Sequence, residues 1–151
     1  MNTFYPTIDL PATPEYILAV LRDLHRQQCK YDSEADSNIT LSFDSTVAEW
    51  REACDLLGWR ELGRAQNDVW SINITDSEWL SVLEPSHEKP LRGICEIISQ
   101  HALRPAIRSI SLFGCTSRAA GAFLTLRSLL QQKGSWPSRI APSTPLAYIP
   151  H

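Results

Sequence analysis

The stretch Leu91-Arg92-Gly93-Ile94-Cys95-Glu96-Ile97-Ile98-Ser99-Gln100-His101-Ala102-Leu103-Arg104-Pro105 decides the fold class. Leu91, Ile94, Cys95, Ile98 and Ala102 recur at three- and four-residue steps, which sets them on one helical face. The spacing predicts a helix over 91–102. Arg104-Pro105 ends it, because proline lacks an N–H and crowds the preceding turn. The stretch also contains the last acidic side chain of the chain, Glu96. Residues 1–88 carry 16 Asp/Glu against 6 Lys/Arg, a formal −10, while residues 89–151 carry one acid against 8 Lys/Arg, a formal +7. The overall −3 hides that split, and such a split bears on partners rather than on fold.

Working toward the N-terminus, Thr75 or Asp76 caps a short helix carrying Trp79, Leu80 and Leu83, and a further helix is expected over Trp59–Trp70. Asp44 or Ser45 starts a helix over 46–57, with Val47, Trp50, Cys54 and Leu57 on one face and Gly58 at its end. Ile39–Phe43 alternates as a strand does. Thr13 caps a helix over 14–30 with Pro14 at its first position, and Ile17, Val20, Leu21 and Leu24 form its apolar side. The first twelve residues read as extended.

Toward the C-terminus, Ile107–Phe113 is a second expected strand, and Gly114 turns the chain. Thr116 or Ser117 then caps a helix to about Lys133, with Ala119, Phe123, Leu126 and Leu130 inward and Gly134 after it. Pro137, Pro142, Pro145 and Pro150 make 135–151 an extended tail. The expectation is a predominantly α-helical α+β protein with about six helices. A small two-stranded sheet would pair Ile39–Phe43 with Ile107–Phe113. One domain would cover 1–134, its 46–102 part acidic and helical and its 105–134 part a basic strand–turn–helix.

The length of 151 residues, with 43% hydrophobic and 21% charged residues, suits an ordinary globular domain. The apolar runs are too short for a membrane span, and the N-terminus lacks the pattern of a secretory signal, so the expected location is the cytoplasm. Cys29, Cys54, Cys95 and Cys115 form no CxxC pair and read as free thiols. The Asn-Ile-Thr sequons at Asn38 and Asn73 matter only in a secreted protein. Four of the five tryptophans (50, 59, 70 and 79) lie within thirty residues of the acidic half, which points to a core rather than to base stacking beside a phosphate backbone.

No GxSxG, GxGxxG or HExxH occurs, and no catalytic residue or cofactor is assigned. His25, His87, His101 and His151 form no i,i+3 or i,i+4 histidine pair, so no helical metal clamp is expected. Asp32–Asn38 alternates acids as a calcium loop does, but its central glycine is missing and Phe43 stands where the bidentate glutamate belongs. The candidate binding feature is Gly114-Cys115-Thr116-Ser117-Arg118, read as a small-residue turn at a helix N-terminus. Free N–H groups there, with the fork of Arg118, suit an anion. Cys115 has no arginine six residues on, where Gly121 stands, so the phosphatase pattern is absent. Arg104, Arg108 and Arg127 add a basic surface that is dispersed, without the dense aromatic-interleaved run typical of nucleic-acid binders.

Residues 55–102 also carry a family pattern. Asp55-Leu56-Leu57 precedes a helix with Glu61-Leu62, then an aromatic extended turn in Trp70-Ser71-Ile72-Asn73-Ile74, then Thr75-Asp76-Ser77-Glu78 and the 91–102 helix. This resembles the second half of an acyl carrier protein, across about a third of the chain. The resemblance implies a helical module presenting an acidic helix to basic partners. Leu56 stands where that family has its phosphopantetheine serine, so no functional residue carries over. The expected function is a non-enzymatic interaction or adaptor module that binds another protein, or itself, by charge complementarity. A small-ligand or anion-binding protein, or an enzyme, using the Gly114–Arg118 turn at a helix N-terminus, and a diverged carrier-like protein, are the alternatives.

Overall fold

The computed structural model describes residues 9–54, 56 and 58–132. Asp55, Leu57, the first eight residues and the expected tail 135–151 lie outside them. The order is β1 (Asp9–Pro11), α1 (Pro14–Tyr31), α2 (Val47–Ala53), α3 (Trp59–Trp70), α4 (Asp76–Leu83), α5 (Leu91–Ser99), β2 (Leu103–Pro105), β3 (Ile110–Leu112), β4 (Cys115–Ser117) and α6 (Arg118–Gln132). The described chain is thus predominantly helical, with six helices and two two-stranded sheets, β1–β2 and β3–β4. It groups into two compact units: Pro11–Leu103, and the residues before and after that span.

The helices of the Pro11–Leu103 unit start where the chain can satisfy its free N–H groups. The Thr13 hydroxyl accepts from Tyr16 N–H at 3.2 Å, with Pro14 at the first helical position. Thr46 and Thr75 each open a reciprocal capping box, with Glu49 and Glu78. The hydroxyl and then the backbone N–H of Thr75 donate to Glu78 and hold its carboxyl below its usual range. The α5 N-terminus has no side-chain cap. Its first N–H groups donate instead to the chain before α2, Leu91 to Ser45 O at 2.8 Å and Arg92 to Phe43 O at 3.1 Å.

One continuous core fills this unit. Ile17, Leu18 and Leu21 of α1 pack mainly against α5, which contributes Leu91, Ile94, Cys95 and Ile98. Trp50 and Trp79 are buried, and Trp59 and Trp70 pack half-buried on the same core, with Trp70 edge-on to Tyr16. Asn67 of α3 braces the turn into α4. Its Nδ2 donates to Ile74 O at 2.8 Å, and its Oδ1 accepts from Ile74 N–H at 3.1 Å and from Trp79 Nε1 at 3.2 Å. Asn67→Ala leaves these partners unmet and is expected to lower unfolding stability by about 2–3 kcal/mol in denaturant titration. A loss under about 0.5 kcal/mol would show that the brace carries no weight.

Several expectations are corrected. Ile39–Phe43 is not a strand and does not pair with Ile107–Phe113. Its alternation is real, since Leu41 is buried and Ile39 and Phe43 pack on the core, but among the described residues no neighbouring strand supplies a ladder. Instead Leu41 O accepts from Arg22 Nε at 2.6 Å, and Ser42 and Ser45 close a local turn. The second helix stops at Ala53 rather than 57, because Ala53 O accepts from Asp36 N–H and Cys54 O from Gln28 Nε2. Gly58 therefore precedes α3 rather than ending α2. On α1 the buried stripe is Ile17, Leu18, Leu21 and His25, while Leu24 is 49% exposed.

In the other unit β3 and β4 form an antiparallel hairpin, Ile110 opposite Ser117 and Leu112 opposite Cys115. Phe113 (φ 51°) and Gly114 (φ 80°) make its two-residue turn, the left-handed pair of a type I′ connection. The inward face of α6 is small and polar: Gly121, Thr125 and Ser128 are buried, not the expected Ala119, Phe123, Leu126 and Leu130. Close approach is the reason. Gly121 lies on the backbone carbonyl of Arg108, where no larger side chain fits.

Candidate functional site

The hairpin redistributes the 114–118 cluster. Gly114 sits at the turn, Cys115–Ser117 form β4, and only Arg118 belongs to the helix. The expected turn at a helix N-terminus is therefore a strand leading into the helix. All five residues are exposed. The Ser117 hydroxyl accepts from Ala120 N–H at 3.1 Å, so one free N–H of α6 is already satisfied. Beside Gly114, Phe113 is wholly exposed. A left-handed conformation costs a bulky residue about 1–2 kcal/mol, and here no burial offsets it.

Of the other basic residues, Arg108 is exposed, and Arg104 and Arg127 are half-buried. Arg127 lies over the Phe123 ring, 5.9 Å from its centroid. Residues 104–151 hold six Lys/Arg and no Asp or Glu. The Pro11–Leu103 unit holds 16 acids against 8 bases. The sign of the charge changes where one compact unit gives way to the other.

Within the acidic unit, five of the eight bases face carboxylates: Arg26 with Asp23, Arg51 with Glu84, Arg60 and Arg64 with Asp76, and Arg92 with Asp44. Asp32 and Asp36 do not form the ligand set of a calcium loop. Asp32 accepts from Glu34 N–H, Asp36 from Asn38 N–H, and each closes a local turn. The side chain of Gln28, then the Glu34 N–H, lowers the Asp32 carboxyl from its ordinary value. Among the described residues no three His, Cys, Asp or Glu side chains could hold a metal ion. No described helix is long and apolar enough to cross a membrane.

A cavity of about 260 Å³ opens between α1 and the segment 37–41. Arg22, His25, Arg26 and Cys29 line it from the helix, and Ser37 and Thr40 bring hydroxyls from the segment. His25 is 7% exposed, and its Nε2 lies 3.0 Å from Asp36 O and 3.4 Å from Cys29 Sγ. Arg22 is pinned at the wall through Leu41 O, and Arg26 pairs with Asp23 at 2.6 Å.

Sequence reading missed this site, although its signal is present. Arg22 and Arg26, and likewise His25 and Cys29, are four residues apart, a step that aligns side chains on one helical face. Leu24 masks it by competing with His25 for the apolar stripe.

The four thiols differ. Cys54 and Cys95 are buried, and burial pushes their thiols up to about 11 and about 12. Cys29 is half-buried on the cavity wall, and Cys115 is exposed on β4. Leu56 packs half-buried on the core. The chain matches no family model, and no curated protein or solved structure matches it significantly.

Proposed function

We propose that this protein is a non-enzymatic interaction module whose two oppositely charged units steer it onto protein partners of complementary charge, a second copy of the chain among them. The observation that carries the reading is that the Pro11–Leu103 unit is acidic overall while the segment that follows it is wholly basic. Residues 104–151 carry six Lys/Arg and no Asp or Glu. Exposed pairs contribute only about 0–1 kcal/mol each to stability, whereas complementary fields accelerate encounter and select partners. The exposed Phe113 ring adds an apolar anchor on the basic side, the kind of residue that dominates binding energy once it is covered. The proposed setting is the cytoplasm, which keeps thiols reduced.

Ion-exchange chromatography tests the reading. A chain of net −3 with uniformly mixed charge passes through a cation exchanger at pH 7. The proposal expects retention on both a cation and an anion exchanger at low salt. It also expects loss of cation-exchanger retention in the triple variant Arg108→Glu, Arg118→Glu, Arg127→Glu. Flow-through of the native chain on the cation exchanger would overturn it.

A further inference from the structure

We propose that the cavity beside α1 is a thiol-modification site, in which Cys29 forms mixed disulfides with small anionic disulfides. The inference is independent of the interaction reading. Its first support is charge. The unit carries twice as many acids as bases, yet the cavity lining contains Arg22, Arg26 and His25 and no acidic residue. Arginine forks match carboxylates bidentately, and two stand one helical turn apart here. The Arg22 Nε donates to Leu41 O at 2.6 Å, which holds the guanidinium at the cavity wall. Arg26 keeps its pair with Asp23 and is 68% exposed along its side chain.

The second support is the surroundings of the sulfur. Asp36 O, 3.0 Å from His25 Nε2, can only accept, so Nε2 carries the ring proton and donates. The same nitrogen lies 3.4 Å from Cys29 Sγ, so the edge of the imidazole stands beside the reacting sulfur. Cys29 stands on the wall of this cavity of about 260 Å³. Cys54 and Cys95 have no such access and resist ionisation. Cys115 is exposed on β4 and is not on the wall of this cavity.

The step balances without a further reactant. The Cys29 S–H proton passes to solvent, and the sulfur attacks one sulfur of the disulfide. A new S–S bond forms as the old one breaks. The departing half leaves as a thiolate and takes a proton from solvent. Cys29 is oxidised and the departing half of the disulfide is reduced, while the half that joins Cys29 keeps its oxidation state, so the disulfide is itself the oxidant.

The test uses the full chain with three probes: glutathione disulfide (anionic), 2-hydroxyethyl disulfide (neutral) and cystamine (cationic). Peptide mapping by mass spectrometry reads the rate at Cys29, normalised to the rate of the same probe with the uncharged thiol N-acetylcysteine amide. With glutathione disulfide, the normalised Cys29 rate is expected to be on the order of tenfold higher than with cystamine, the size that local steering by two charges supplies. Arg26→Gln, an exposed change, and Arg22→Gln are each expected to remove several-fold of that preference for the anionic over the cationic probe. Equal normalised rates for all three disulfides would overturn the proposal. So would an unmodified Cys29, or arginine variants that keep the full preference with circular dichroism unchanged.

Discussion

Trp79→Ala is expected to lower unfolding stability by about 3–5 kcal/mol, a large share of the roughly 5–15 kcal/mol that holds a domain together. The ring is 1% exposed and packs on the core between α3 and α4. Truncation empties the largest of the fully buried side-chain volumes and leaves Asn67 Oδ1 without the indole donor. Trp79→Phe keeps most of the apolar volume and isolates the hydrogen bond, so its loss is expected to be less than half as large. Denaturant titration followed at a remaining tryptophan checks both. A loss under about 1 kcal/mol for Trp79→Ala would mean that the α3–α4 packing is not structural.

Gly121→Ala reverses the usual sign of a helix substitution. In an exposed helix interior, alanine gains about 1 kcal/mol over glycine. Here the added Cβ would overlap the carbonyl of Arg108, a backbone atom that cannot rotate aside. Overpacking of that kind costs about 1–3 kcal/mol, and the helix must shift off the 108–109 backbone. Amide exchange is expected to speed up across α6 and the β3–β4 hairpin while α1 and α5 keep their protection. A stabilised or unaltered α6 would contradict the close approach. Small inward side chains at Thr125 and Ser128 continue the same contact face, and Thr125 bonds back to Gly121 O at 2.9 Å.

That inversion explains why α6 was the least legible helix. Ala119, Phe123, Leu126 and Leu130 have the spacing of a buried stripe, and periodicity presumes that apolar faces turn inward. Where a helix packs directly on backbone, small size outweighs hydrophobicity, and only the contact itself reveals it. The α1, α3, α4 and α5 helices were legible because local chemistry agrees with pattern: Thr13 with Pro14, Thr75 with Glu78, and the Leu91–Ile98 stripe. The end of α2 was not, because long-range partners, Asp36 N–H and Gln28, claim its last carbonyls. Ile39–Phe43 shows the same limit. Alternation fixes which side chains point inward but not whether a neighbouring strand exists to pair with.

The candidate sites divide in the same way. The charge split was plain in the sequence, and the unit boundary at Leu103/Arg104 gave it a structural edge. The Gly114–Arg118 cluster was read one element out of place, because the Phe113-Gly114 turn closes a hairpin rather than opening a helix. The cavity beside α1 was hidden, since it needs His25 turned inward and the segment 37–41 laid across the helix.

The most direct test of the charge-steered reading is sedimentation velocity of the full chain, alone and mixed with polyglutamate or polylysine. It compares ionic strengths of about 0.01 M and about 1 M, where the Debye length falls from about 30 Å to about 3 Å. The account predicts faster-sedimenting species at low salt, in self-association or with at least one polymer. It predicts their loss at high salt, and loss of the polyglutamate complex in the Arg108→Glu, Arg118→Glu, Arg127→Glu variant. A sedimentation coefficient that is the same at both salt levels in every mixture would contradict it.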